Sequence, residues 1–204
     1  MLTPDQFLAF LAASILITIS PGPDNLMVLA TGISKGRSRG IAFGLGAGLG
    51  CLSHTLLAVV GVSALIAASP MAFTALKLAG GAYLIWLGFR ALRSSGKIEL
   101  NDTATAKGSV ASYFFRGIFA NAINPKVILF FTAFLPQFID PGRGLVVQFA
   151  VMAGTFVATE VVTETMLASA ADRIRPWLGR VGRRFNRACG GLFVAIGAAL
   201  PLRG

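Results

Sequence analysis

Six long apolar stretches constrain the fold of this 204-residue chain more than any other feature. A transmembrane helix needs about 20 consecutive apolar residues, because a helix satisfies its own backbone polar groups inside lipid. Charged residues make up 13% of the sequence, about half the share of a soluble domain, which argues against a soluble enzyme or a disordered protein. We therefore predict an all-α integral membrane protein with six transmembrane helices in a single domain, 1–204. The stretches are 6–33, 41–67, 71–92, 111–138, 145–171 and 185–202.

The basic residues support this count because they alternate between loops. Fourteen of the 18 Lys and Arg residues lie between spans one and two, three and four, and five and six, whereas the other loops and ends hold only Arg143 and Arg203. Cytoplasmic loops are enriched in Lys and Arg, so both termini are expected outside. The net charge of +10 then faces an anionic inner leaflet rather than nucleic acid. A five-span alternative changes only the side on which the C-terminal end lies.

Two segments near the ends of the chain carry further expectations. Residues 1–5 contain no Lys or Arg, so we expect the first span to be retained rather than cleaved as a signal peptide. Apolar residues recur at helical spacing over 172–187 with arginines between them, which predicts a basic interfacial helix on the inner leaflet. A charged loop anchored by Trp177 is the alternative.

Prolines interrupt the first and the fourth apolar stretch at matching places. The first holds Pro21, Gly22 and Pro23, and the fourth holds Pro125 after Asn124. Proline removes a backbone donor and clashes with the preceding turn, so we predict that helices one and four are broken there. Ser20 and Asn124 are both predicted to cap the half-helix that follows. A polar linker, about 94–109, joins the two halves of the chain, about 1–93 and 110–204. Each half has three spans, an odd number, so the halves cross the membrane in opposite directions and form an inverted repeat. Paired interruptions of this kind point to a transporter's binding site.

The sequence around these breaks resembles the LysE/RhtB family of amino-acid exporters. The resemblance implies a six-helix carrier of the bacterial inner membrane that exports amino acids or close derivatives, driven by the proton gradient. The stretches that carry it are SPGPDNLMVLATGISKGRSRGIAFGLGAGLG (20–50), LKLAGGAYLIWLGFRALR (76–93) and FANAINPKVILFFTAFLPQF (119–138).

Polar residues at the breaks are the candidates for substrate binding. A carboxylate inside a membrane helix is costly, so Asp24 is predicted to hold a proton or a substrate ammonium, or alternatively to interact with the helix dipole. Asn124 and Lys126 are predicted to bind a substrate carboxylate at the start of the second half-helix. Lys126 could instead snorkel to the inner surface, and Asn25 and Asn121 could bridge helices by hydrogen bonds.

Two further carboxyl groups lie on span five. Glu160 and Glu164 are four residues apart, so they share one helix face, with three threonines on or beside it. Such a polar stripe should face a cavity, and two carboxylates this close in an apolar site should not both be ionised. We predict that these residues take part in proton coupling together with Asp24. The alternative for Glu164 is an ion pair with Arg173 or Arg175 near the inner interface.

Other function classes have weaker support. The leading hypothesis is proton-coupled antiport by alternating access, without cofactor or resident metal, in a protein that is not an enzyme. An exporter of a metal cation or other ion is the alternative, because a carboxylate pair suits a hard cation. A membrane redox relay would need juxtaposed cysteines, and Cys51 and Cys189 are not in equivalent positions. An intramembrane hydrolase would depend on His54, which more often is a packing residue.

Glycines spaced by four in span two indicate close helix approach. We interpret these glycines as a structural surface along which the two halves of the protein can slide past each other. Such a surface also permits a homodimer. The glycines are Gly40, Gly44, Gly48, Gly46 and Gly50.

Overall fold

The computed structural model describes residues 2–20, 22–93 and 108–199, which form helices joined by short turns. Pro21, most of the predicted linker and the end of the predicted sixth span lie outside the described residues. The helices are α1 (Pro4–Ile19), α2 (Pro23–Lys35), α3 (Arg37–Ala68), α4 (Pro70–Arg93), α5 (Val110–Ala122), α6 (Pro125–Leu129), α7 (Leu145–Ser169) and α8 (Ala171–Ala199).

Both predicted helix breaks are present. The α1–α2 pair bends by 52° and the α5–α6 pair by 51°. Pro23 and Pro125 each occupy the first turn of the half-helix after the break, where the missing N–H removes no hydrogen bond. After Leu129 the second half-helix continues as a π-helical turn, Phe130–Phe134, and a 3₁₀ turn, Leu135–Phe138. The two bends divide the first and fourth apolar stretches into half-helices, as the sequence predicts.

The capping of the two half-helices differs. Asn124 caps α6 as predicted, since its side chain accepts a hydrogen bond from the N–H of Lys126 at 3.0 Å. The prediction that Ser20 caps α2 is wrong. Ser20 instead ends α1, where its N–H donates to the carbonyl of Leu16, and Gly22 precedes α2 without a side-chain cap. The reason is the second proline of the motif, which takes the first helical position and moves the start of the helix two residues along.

Within the described residues, length and composition allow up to five membrane spans. Helices α3, α4 and α7 each qualify alone, and each bent pair qualifies as one span. Helix α8 runs unbroken through the segment predicted as an interfacial helix and on into the predicted sixth span. Six arginines between 173 and 187 make its first half strongly polar. The helix predicted over 172–187 is therefore present, but it is not separate, and the sixth span stays a prediction.

Glycines allow close approach between neighbouring helices. A Cβ atom placed on Gly46 or Gly117 would overlap a backbone carbonyl oxygen of the facing helix, so α3 and α5 touch there. A Cβ atom on either Gly88 of α4 or Gly190 of α8 would lie 2.6 Å from the carbonyl oxygen of the other. A Cβ atom on Gly44 would lie 2.7 Å from Cβ of a glutamate on α7, and one on Gly40 would lie 2.9 Å from Cα of a glycine on α2. The predicted glycine surface of α3 thus faces three partners, α2, α5 and α7.

The contact between α3 and α5 leads to a stability prediction. Gly117→Ala places a methyl group onto the carbonyl of Phe43 and 2.8 Å from the backbone nitrogen of Ala47, so the two helices must separate. We expect a loss of roughly 1–3 kcal/mol of stability, as for other overpacked sites. Thermal unfolding of the protein in detergent measures it. Gly61→Ala is the matched control, because no atom lies within 4 Å of its Cβ position. A melting temperature for Gly117→Ala equal to that of Gly61→Ala would refute this contact.

An aromatic core holds the second broken helix against the rest of the bundle. The ring of Phe130 lies 4.8 Å from that of Phe134 and 4.7 Å from that of Phe156 on α7, and Phe10 on α1 packs edge-on against Phe138 at 5.3 Å. Each of these rings is buried. Aromatic packing of this kind positions α1, α6 and α7 together, and the polar side chains described next lie at their junction.

Candidate functional site

Three carboxyl groups meet where the first helix break lies against α7. Asp24 of α2 and Glu160 and Glu164 of α7 are at most 3% exposed. One oxygen of each lies within 4.8 Å of the others. Nothing in the linear sequence joins Asp24 to the two glutamates, and packing of α2 on α7 brings them together. We call these three residues the carboxyl cluster.

Local structure explains how each carboxyl group reaches the cluster. Asp24 follows Pro23 in the first turn of α2, and its Oδ1 accepts a hydrogen bond from the N–H of Asn25 at 3.1 Å. The two glutamates lie one helical turn apart, on the same face of α7, as predicted. Close approach of α3 at Gly44 leaves no room between that glycine and Glu164, so the Glu164 side chain stays in the interior.

The cluster has unused hydrogen-bonding capacity. Glu160 Oε1 and both carboxyl oxygens of Glu164 are buried without a hydrogen-bond partner among the described residues. One carboxyl oxygen of Asp24 lies within 4.8 Å of one carboxyl oxygen of Glu160. Carboxylates this close in an apolar interior repel one another unless a proton or a cation lies between them. Buried, unpaired carboxyl oxygens are costly, and a proton or a cation would lower that cost.

Lys126 joins the two helix breaks. Its Nζ donates to the backbone carbonyl of Ser20 at 2.7 Å and to Oδ1 of Asn25 at 3.3 Å. Asn25 in turn donates from Nδ2 to the carbonyl of Thr18 at 2.8 Å, which spans the break between α1 and α2. The ammonium group of the half-buried Lys126 is therefore bonded to oxygens of the first break, while its backbone belongs to the second. Asn25 thus bridges α2 to α1 by a hydrogen bond, which is the alternative to substrate binding given for it in the sequence analysis.

Asn121 and Asn124 lie at the second break. Asn121 is fully buried and bridges α5 to α3, since its Oδ1 accepts from Cys51 Sγ at 3.4 Å and its carbonyl contacts His54 Nε2 at 3.0 Å. Both asparagines leave a buried Nδ2 without a partner among the described residues. His54 is thereby placed in a packed, hydrogen-bonded position. Cys51 and Cys189 are both buried and free.

The threonine stripe of α7 is partly explained. Thr163 Oγ1 contacts Thr18 Oγ1 on α1 at 3.2 Å, close to the cluster. The hydroxyls of Thr155 and Thr159 bond to carbonyls of their own helix at 2.8 and 2.6 Å. Among the described residues, Thr163 is therefore the threonine of the stripe whose hydroxyl contact reaches another helix near the carboxyl cluster.

A cavity of about 460 Å³ opens beside Lys126. Its wall combines the two helix breaks with one face of α4 and with Asn186 of α8. On α4, the rings of Tyr83 and Trp86 lie 5.5 Å apart, and the guanidinium carbon of Arg90 lies 5.0 Å from the centre of the Trp86 ring. We call this space the junction cavity.

The residues of α4 in this cavity escaped the sequence analysis. Arg90 is one of the fourteen basic residues that the sequence analysis assigns to cytoplasmic loops, and Tyr83 and Trp86 have no assigned role in it. A signal was present, because Tyr83, Trp86 and Arg90 are three and four residues apart and so lie on one helix face. That spacing alone also fits a helix end anchored at the membrane interface, so it could not indicate a cavity.

Comparison with known proteins assigns the chain to a family. Residues 15–204 match the family model described as LysE type translocator. The chain is 37% identical over 203 residues to the homoserine/homoserine lactone efflux protein of Salmonella typhimurium, covering 98% of this chain and 97% of that protein. It is 33% identical to the uncharacterized membrane protein PA4757 of Pseudomonas aeruginosa, over 96% of this chain and 94% of the relative.

The apolar helices fit a family of membrane transport proteins. An uncharacterized membrane protein of Vibrio cholerae is 32% identical, over 95% of each chain. No solved structure matches the chain. With a family model covering nearly its whole length, the chain belongs to the LysE type translocator family and is a membrane transport protein rather than an enzyme.

Proposed function

We propose that this protein exports small amino acids or close derivatives, in the class of homoserine and its lactone, across the bacterial inner membrane in exchange for protons. The observation that carries the proposal is the buried carboxyl cluster at the junction of two broken helices, with Lys126 beside it. A substrate ammonium is a cation that suits such a cluster. The efflux proteins that share 37% identity support the substrate class.

Proton coupling follows from the charge balance of the cluster. Three buried carboxyl groups lie near one ammonium, that of Lys126, so the cluster carries more potential negative charge than this one cation balances. An incoming substrate ammonium supplies positive charge that the cluster otherwise receives from protons. Substrate and proton then compete for the same carboxyl groups, which is the requirement for antiport. In this proposal Asp24, Glu160 and Glu164 exchange the proton, while Asn25, Asn121 and Asn124 shape the site.

Alternating access has support in the arrangement of the halves. The two broken helices bend by nearly equal angles, 52° and 51°. The contact between Gly88 and Gly190 joins the third helix of each half in a reciprocal way, as expected about a pseudo-two-fold axis. We propose six spans in two inverted repeats, with both termini outside and the arginine-rich loops on the cytoplasmic side. Rocking of the halves would expose the junction to each side in turn.

The test is release from liposomes that contain the purified protein. Vesicles preloaded with labelled homoserine, homoserine lactone, threonine or lysine are placed under an imposed pH gradient. We expect gradient-stimulated release of one chemical class, and no stimulation in protein-free vesicles. Protein that is folded yet releases none of these molecules would refute the substrate class. Release that is insensitive to the gradient would refute the proton coupling and leave export standing.

A divalent cation is the second candidate substrate, because three carboxyl oxygens within 4.8 Å suit a hard metal ion. The nearby Lys126 ammonium disfavours it, since a second positive charge would be repelled. The same vesicles loaded with Mn²⁺ or Mg²⁺ decide the question. Gradient-driven efflux of either ion, without efflux of amino acids, would replace the leading proposal.

A further inference from the structure

The wall of the junction cavity contains two chemically different places, Gly22 and Arg90. A Cβ atom on Gly22 would lie 2.8 Å from Asp24 Oδ1 and 2.9 Å from Lys126 Nζ, so the cavity reaches the carboxyl cluster at this glycine. Arg90 brings a guanidinium to the same cavity from α4.

The guanidinium of Arg90 is held in a defined place. It lies over the Trp86 ring at 5.0 Å, a distance typical of a cation–π contact, and the Tyr83 ring packs on the same tryptophan. An aromatic ring accepts no conventional hydrogen bond from the guanidinium in such a contact, so N–H donors of Arg90 can still bind a carboxylate. Two parallel hydrogen bonds from such an edge match the geometry of a carboxylate.

The size of the cavity fits a small ligand. Its volume of about 460 Å³ is in the usual range for small-molecule sites of about 300–1,000 Å³. Its wall mixes apolar surface from the prolines and leucine with a few polar groups, as such sites do. A zwitterion could place its ammonium toward the carboxyl cluster and its carboxylate toward Arg90.

The geometry points to Arg90 as the group that binds the α-carboxylate of the substrate, with Trp86 and Tyr83 holding it in place. This inference rests on the proposed function and refines its substrate class. A free amino acid carries both an ammonium and a carboxylate, whereas its lactone has lost the carboxylate to an ester. Arg90 thus distinguishes free amino acids from their lactones, and the carboxyl cluster alone does not.

Transport of homoserine and of homoserine lactone by an Arg90→Gln variant tests the assignment. We expect release of homoserine to fall by about tenfold or more, because a charge-assisted contact is lost, while release of the lactone changes little. Arg90→Lys should recover part of the homoserine rate. Arg93→Gln is the matched control, since Arg93 is the next arginine on α4 and is equally exposed, but does not line the cavity. Equal losses of both substrates, or no loss of either, would overturn the assignment.

Binding gives a readout that does not depend on transport. The chain has two tryptophans, Trp86 and Trp177, so a Trp177→Phe background leaves Trp86 as the single tryptophan reporter. Homoserine should change its emission in a saturable way, and Arg90→Gln should weaken that binding by about tenfold or more without a similar effect on the lactone. If reconstituted protein transports neither molecule, the proposed function fails, and this titration still decides the role of Arg90. A Trp86 response to homoserine that is unchanged by Arg90→Gln would refute it.

Discussion

Replacing Asp24 with asparagine should abolish gradient-driven export while leaving the protein folded. The substitution keeps the shape of the side chain and an oxygen that can accept the hydrogen bond from Asn25 N–H. It removes the carboxyl group from a position that is 3% exposed and within 4.8 Å of the carboxyl groups of Glu160 and Glu164. We expect gradient-driven release to fall by at least about thirtyfold, because loss of one partner in a buried charged contact costs about 2 kcal/mol or more.

The sequence offers a matched control for this change. Asp5 follows Pro4 in the first turn of α1, just as Asp24 follows Pro23 in the first turn of α2. Asp5 is exposed, so Asp5→Asn removes one charge from an equivalent helix position outside the cluster. Its export rate should match that of the unmodified protein. Similar losses of export in both variants would mean that export depends on negative charge at a helix N-terminus rather than on the carboxyl cluster.

Exchange without a gradient separates the two possible roles of Asp24. If Asp24 carries the proton, Asp24→Asn should still exchange labelled for unlabelled substrate across the membrane when no pH gradient is applied. If Asp24 binds the substrate ammonium, exchange should be lost together with gradient-driven release. Full export activity in the variant would exclude Asp24 from both roles and direct attention to Glu160 and Glu164.

Adding a side chain at Gly22 should block transport in proportion to its size. The backbone there is extended, with φ −144° and ψ 172°, so other residues adopt it without strain. The first added carbon would meet Asp24 Oδ1 at 2.8 Å and Lys126 Nζ at 2.9 Å. Gly22→Ala should therefore push two flexible side chains apart and slow export, whereas Gly22→Leu should fill the passage from the cavity to the cluster and reduce export to background.

Stability and location controls make this series informative. Gly154 of α7 has no atom within 4 Å of its Cβ position, so Gly154→Ala and Gly154→Leu add the same groups elsewhere in a helix of the same protein. We expect normal export from both, and melting temperatures of the Gly22 variants within a few degrees of the parent. Wild-type rates from Gly22→Leu would show that substrate does not pass between the cavity and the carboxyl cluster.

The sequence was sufficient for the features that depend on local chemistry. Proline removes a backbone donor and disfavours a continuous helix, so the bends at Pro23 and Pro125 were predictable from the chain alone. Proline is not sufficient by itself, because α8 continues through Pro176. The shared face of Glu160 and Glu164 follows directly from helical spacing. Asn124 as a cap is likewise local. The start of α2 was misplaced because Pro21 and Pro23 both fit a first helical position, and the sequence does not rank them.

Features that depend on helix packing were not predictable. Asp24 joins the two glutamates only because α2 lies against α7, and Arg90 lines a cavity only because α4 packs on α8 beside the breaks. The rotation of each helix about its axis sets these contacts, and apolar composition on all sides of a membrane helix gives little information about that rotation. The same limit explains why Lys126 could be assigned either to the surface or to the interior.

The length of α3 has a consequence for the membrane around this protein. Its 32 residues extend about 48 Å at 1.5 Å per residue, whereas the hydrocarbon core of a bilayer is about 30 Å thick. α4, at 24 residues, extends only about 36 Å. Neighbouring helices of such unequal reach cannot all stand upright in one bilayer, so α3 must tilt or its first turn must rise out of the acyl chains. Arg39 in that turn donates to the carbonyls of Gly108 and Lys35, which ties the first turn of α3 to the segment before α5. Lipid acyl-chain length is therefore a physical variable to which the tilt of α3, and the helices it touches through glycine, must respond.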